Sequence, residues 1–218
     1  MEVESDLIAL SLTLTLERGD VHSLHWTDEA LYIGSEEGFI SYTNNHYTAH
    51  TTEKTFSVAA NNEAIFTLSF ADQQDDPKFI LRKFSGSAII WEQNLLMPSF
   101  CLALVGSRLI LSHHICLGIY DTDGQEVNRI PHPLQSKSKR AQMPLCAISN
   151  DTVAAGMGRN LVKCSVVSDP ETVNLRRFDG EIAGLCSDTY GYIFVSTELQ
   201  AERRILVLST EGELECSN

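Results

Sequence analysis

The sequence predicts an all-β fold, a β-propeller of about five four-stranded blades, and three observations predict it. Segments of similar pattern recur about 35 to 44 residues apart, the period of a propeller blade. Each segment holds several short apolar or alternating runs bounded by Gly, Asn, Asp or Pro, while helical periodicity is nearly absent. Two segments about 44 residues apart also read as copies of one unit. Val21–Trp26 followed by Leu31–Ile40 matches Ala64–Phe70 followed by Lys78–Leu81 and Ser85–Glu92, with Leu24 against Leu68 and Trp26 against Phe70.

Taken in order, the inner strands are predicted at 21–26, 65–70, 100–105, 144–149 and 182–187. Turn residues follow each one, and second strands are then predicted at 31–34, 79–83, 109–112, 152–155 and 192–196. Third strands fall at 39–42, 88–91, 117–120, 161–166 and 205–208. Fourth strands are weaker, at 46–50 or 55–59, then 126–130, 173–177 and 213–216, as expected where one face meets solvent. Residues 1–218 therefore read as one domain with units near 19–60, 61–98, 99–141, 142–180 and 181–218. Leu10, Leu12, Leu14 and Leu16 alternate with Ser11, Thr13, Thr15 and Glu17, a half-buried strand. Residues 7–17 are read as a strand that closes the ring onto the last blade and so removes an exposed edge. The alternative is the outer strand of a missing blade in an incomplete, larger ring, completed by a second chain or by a longer protein.

Composition narrows the function classes. With 16 Lys and Arg against 29 Asp and Glu, the formal net charge is −13. Such a chain is repelled by nucleic acid and by anionic membranes unless it segregates a basic patch, so nucleic acid is disfavoured as a partner. The most apolar stretch, Leu7–Leu16, is too short to span a bilayer, and Glu2, Glu4 and Asp6 stand where a secretory signal carries cations. The expectation is a cytoplasmic or nuclear protein without membrane insertion. None of the six cysteines (Cys101, Cys116, Cys146, Cys164, Cys186, Cys216) forms a C-x-x-C pair, so they read as reduced structural thiols.

No constellation in the chain reads as catalytic or metal-binding. Asp121–Glu126 lacks the spacing of an EF-hand loop, and its Asp-Gly reads as a hairpin turn. His22 and His25, His46 and His50, and His113 and His114 come without a converging carboxylate or cysteine. There is no G-x-S-x-G elbow, and Gly156-Met157-Gly158 does not continue into a dinucleotide fingerprint. Asp20, Glu63 and Glu181 each precede a predicted inner strand, which leaves a channel carboxylate trio of a hydrolase or lactonase as the enzymatic alternative. The basic stretch Lys137-Ser138-Lys139-Arg140 reads as a solvated loop, an import signal or a phosphate contact.

The repeats resemble WD-repeat propeller units. Trp91-Glu92 stands where that family has Trp-Asp, Tyr120-Asp121 is a weaker echo, and Gly34-Ser35-Glu36-Glu37-Gly38 resembles its Gly-Ser-x-Asp-Gly turn. The Gly-His pair that opens a typical repeat is missing, with Gly19-Asp20 its nearest trace. Residues 182–213 look equally like an NHL-type blade. The resemblance implies that loops joining second to third and fourth to first strands share one binding face. On that basis the expected partner contacts are Glu36, Glu37, Lys83, Phe84, His113, His114, Arg159, Lys137, Lys139 and Arg140. The predicted function is a non-catalytic scaffold for a protein or peptide partner, with no cofactor and no metal. The resemblance also admits an NHL-like RNA-binding module, which would need Lys83, Arg159, Arg203 and the 137–140 loop on one surface.

Overall fold

Twenty strands in five antiparallel meanders make up the computed structural model, which describes residues 20–44, 46–72, 78–131, 143–166, 171–200 and 202–217. Blade one contains β1 (Val21–Trp26), β2 (Leu31–Ser35), β3 (Gly38–Thr43) and β4 (His46–Ala49). Blade two contains β5 (Lys54–Ala60), β6 (Ile65–Ala71), β7 (Lys78–Ser85) and β8 (Ala88–Leu95). Blade three contains β9 (Ser99–Val105), β10 (Arg108–His113), β11 (Cys116–Asp121) and β12 (Glu126–Pro131). Blade four contains β13 (Leu145–Ala147), β14 (Thr152–Met157), β15 (Asn160–Ser165) and β16 (Thr172–Arg177). Blade five contains β17 (Glu181–Ser187), β18 (Ile193–Leu199), β19 (Glu202–Leu208) and β20 (Leu214–Ser217). This is a five-bladed β-propeller, and no helix of the described residues is long and apolar enough to cross a membrane. The 7–17 strand and the 137–140 loop lie outside the described residues.

Each inner strand packs on the next, from β1 to β5, β9, β13 and β17, while no comparable packing joins β17 to β1 among the described residues. Four apolar cores fill the four junctions. Phe39 and Phe84 belong to the first, Phe66 and Leu109 to the second, Ile110 and Val153 to the third, and Leu161 and Val195 to the fourth. Leu109 and Leu111 face blade two while Ile110 faces blade four, so β10 is buried on both sides and its apolar run is continuous.

One blade departs from the predicted strand order. The inner strand of blade two is β5, so the 65–70 run is its second strand, 79–83 its third and 88–91 its fourth. The 55–59 run, expected as an alternative fourth strand of the first unit, is β5 itself, the fourth strand of blade one being β4, whereas Ile65–Ser69 is fully buried and mimics an inner strand. Asn61 added to the mimicry: its side-chain oxygen accepts from the amides of Glu63 and Ala64, making a tight turn that looked like a unit boundary. Trp91-Glu92 consequently sits on the outermost strand, where the Trp91 indole donates to the Thr122 carbonyl of blade three at 3.2 Å.

His25 bridges blades one and two by donating from Nε2 to the Ala60 carbonyl at 2.9 Å. Burial holds its pKa below the ordinary 6.5, partly offset by that carbonyl, and burial also lowers His50. The unfolded chain therefore binds more protons than the fold as pH drops through 6.5. Stability is expected to be complete above that pH and to fall below it. Urea midpoints at pH 7.5 and 5.5 should differ in that direction, and His25→Gln should flatten the dependence.

Candidate partner-binding face

Alternating strand direction places the second-to-third turns and the fourth-to-first connectors at one end of the ring, here the upper face. Register shifts near that end of the inner strands leave single residues unpaired: His22 on β1, Phe56 on β5, Phe100 on β9 and Ala183 on β17. A bulge of this kind re-aims the extra side chain. Here it gathers aromatic rings at the upper edge of the second junction. The Phe56 ring centroid lies 5.3 Å from Phe100, 6.1 Å from Phe79 and 6.2 Å from Phe70. Phe70 and Phe79 form a cross-strand pair at 5.2 Å, and Phe79 meets Phe100 at 5.4 Å.

All four of these phenylalanines are only half-buried, whereas Phe39, Phe66 and Phe84 are completely enclosed. The flank toward blade one is polar. His22 stands 5.8 Å from Phe56, and the Lys54 ammonium lies 5.3 Å above the same ring. Glu36 accepts from Lys54 at 2.6 Å and from His22 at 2.9 Å, and its own amide donates to the Asp20 carbonyl. Lys54 first, then His22, hold the Glu36 carboxyl below the usual carboxylate range.

The contacts expected from sequence separate into groups. Glu36 and Glu37 occupy the β2–β3 turn, His114 the β10–β11 turn and Arg159 the β14–β15 turn, all exposed on the upper face. Phe84 is instead part of the first junction's core at 0% exposure, because alternation along β7 points it at Phe39. His113 is internal too: Nδ1 pairs with the Ser99 hydroxyl at 2.6 Å and Nε2 with the Tyr120 hydroxyl at 3.3 Å. Lys83 lies toward the lower face, 3.8 Å from Asp123, since the corrected strand order puts the 86–87 turn there. Lys137, Lys139 and Arg140 lie outside the described residues. Sequence reasoning missed the phenylalanine cluster. Its signal was Phe56 between Thr55 and Ser57, and Phe100 between Ser99 and Cys101, each a large ring between small residues at an inner-strand start.

The carboxylates considered for catalysis are dispersed. Asp20 and Glu181 open inner strands at the upper face, whereas Glu63 sits in the β5–β6 turn at the opposite end. No group of three or more His, Cys, Asp or Glu among the described residues is placed to hold a metal ion. Burial raises the thiols of Cys101, Cys116, Cys146, Cys164 and Cys186, Cys101 to about 11 and Cys146 to about 12, so these cysteines are protonated at neutral pH.

Solved structures share this fold. The WD40 repeats of RRP9 superpose with a TM-score of 0.69 at 9% identity, over 92% of this chain and 64% of that one. The likeness is one of fold. Virginiamycin B lyase from Staphylococcus aureus gives a TM-score of 0.68 at 11% identity, over 92% and 69% of the two chains. The WD40 β-propeller domain of Doa1 gives 0.57 at 10% identity, over 92% and 82%. The chain thus spans about two thirds of the RRP9 repeats' length. No protein-family model matches the sequence, and no curated protein matches it.

Proposed function

We propose that the chain is a non-catalytic protein-interaction module whose upper face takes an apolar or aromatic side chain of a peptide into the cluster of Phe56, Phe70, Phe79 and Phe100. The observation that carries this reading is that inner-strand bulges hold two of these rings only half-buried at a junction whose deeper part is fully packed. A partly open aromatic cluster on a rigid sheet offers a seat for an anchor side chain, and aromatic anchors dominate binding energy. Lys54 is paired with Glu36, and Asp20 and Glu37 leave the adjoining rim net acidic, which favours Lys or Arg beside the anchor.

The WD40 neighbours support a scaffold, and the lyase neighbours share the fold. The dispersal of Asp20, Glu63 and Glu181 and the protonated thiols count against a hydrolase. Lys83 and Arg159 lie toward opposite faces, which counts against one continuous basic surface for RNA. The free thiols among the described residues favour a cytoplasmic or nuclear setting. Leu24 and Trp26 on β1 are 61% and 59% exposed, and a second chain packing there would complete the ring.

Selection of a random-peptide library on the immobilised protein tests the reading. Enriched peptides are expected to carry an aromatic or large aliphatic anchor with a basic neighbour. Phe100→Ser should weaken them by at least about tenfold, roughly 1.4 kcal/mol. No enrichment, or equal binding to Phe56→Ser and Phe100→Ser proteins that remain folded, would remove it.

A further inference from the structure

The acidic chain concentrates arginine at one place. Five of its ten arginines, Arg159, Arg176, Arg177, Arg203 and Arg204, fall on elements of blades four and five. Three of them line a cleft of about 200 Å³ between the end of β16 and the β18–β19 hairpin. Its wall includes Phe178, which is 8% exposed, and the Arg176 guanidinium stands 6.0 Å from that ring. Arg176 donates from Nη1 to the Gly212 carbonyl at 3.2 Å, and Arg204 donates from Nη2 to Glu202 at 2.8 Å. The exposed Arg177 side chain has no hydrogen bond or ion pair with a described residue.

These contacts leave most of the donors unspent, since each guanidinium carries five N–H groups. Asp179 and Glu202 are the carboxylates of the lining, so three arginines face two acids and the cleft is net positive within a chain of charge −13. We propose that this cleft binds a phosphate monoester carried on a peptide side chain.

Size and charge select that ligand. The cleft is smaller than the roughly 300–1,000 Å³ of sites that enclose drug-sized molecules, so it fits one anionic group. A phosphate monoester brings about two negative charges and three acceptor oxygens, enough to engage guanidinium forks arriving from different strands. A carboxylate is planar and is matched by a single fork. A peptide is favoured over a lipid headgroup because the chain's net charge opposes approach to an anionic bilayer. The site is separate from the phenylalanine cluster, so either can fail without the other.

The test uses three degenerate peptide pools, centred on phosphoserine, serine or glutamate, titrated against the full chain by fluorescence polarisation. The phosphoserine pool is expected to bind at least about tenfold more tightly than the serine pool and more tightly than the glutamate pool. Inorganic phosphate should compete, and rising salt should weaken binding. Arg177→Gln should abolish the preference while circular dichroism and Tm stay unchanged. Equal binding of the three pools, no competition by phosphate, or a preference surviving Arg177→Gln overturns the proposal. So does binding seen only with phosphoinositide-containing vesicles.

Discussion

Phe84→Ala is expected to destabilise the protein by about 3–5 kcal/mol, the range for an aromatic ring removed from a closed core. Phe84 is 0% exposed, its ring centroid lies 5.3 Å from Phe39, and it meets His50 edge-on at 6.3 Å. Among the described residues the first junction's core has five buried members, Phe39, Val58, Ala60, Ile65 and Phe84, against fourteen in the third. Few neighbours can move in, so most of the cavity would persist. Blade one also packs chiefly on blade two among the described residues, so its attachment depends on this contact. In a serial array, stability is close to a sum of unit and interface contributions, and a weakened terminal interface lets its unit open first. Urea unfolding should therefore broaden, and amide exchange in β1–β4 should accelerate more than in β9–β12. A loss below about 1 kcal/mol, with uniform exchange, would show that blade one is held by other means.

What was legible in the sequence follows from how far apart the deciding residues are. Short-range alternation and turn chemistry sufficed for blades three to five, where runs such as Leu109–Ser112 and turns such as Asn150-Asp151 mark strands directly. The second blade was misphased because burial on both faces makes β6 resemble an inner strand, and only pairing partners distinguish the two. His113 looked like an exposed turn histidine. Its partners, Ser99 and Tyr120, come from β9 and β11 and are adjacent only once the sheet forms. The phenylalanine cluster was least accessible, since it needs bulges on two inner strands and the cross-strand pair Phe70–Phe79 together. Glu36, Glu37, His114 and Arg159 were placed on the upper face because tight turns can be read locally.

The second large effect concerns a charge that the fold encloses. The Arg82 side chain on β7 is 5% exposed. It donates from Nε to Glu92 at 2.6 Å, and from Nη2 and Nη1 to the two oxygens of Glu53 at 3.2 and 3.4 Å. Glu92 is its cross-strand partner on β8, and Glu53 belongs to the connector leading into β5. Removing both carboxylates leaves a buried cation uncompensated, which costs about 3–5 kcal/mol in a closed site. Here the carboxylates are 37% and 46% exposed and solvent shares the pairing, so Glu53→Gln with Glu92→Gln is expected to cost about 2–3 kcal/mol.

Arg82→Met removes the charge along with the need to compensate it and should cost much less, because an apolar chain of similar length refills the space. Equilibrium unfolding of the double glutamine variant, Arg82→Met and their combination checks this asymmetry, and an Arg82→Met as damaging as the double glutamine variant would refute it. The arrangement also reaches the candidate face. Glu53 immediately precedes Lys54 and the Phe56 bulge, so its bidentate hold on Arg82 anchors the stretch that presents both side chains to the aromatic cluster. Glu53→Gln alone should therefore weaken selected peptides while leaving the phosphoserine preference of the blade four–blade five cleft unchanged. That pattern would separate loss of local positioning from loss of the fold.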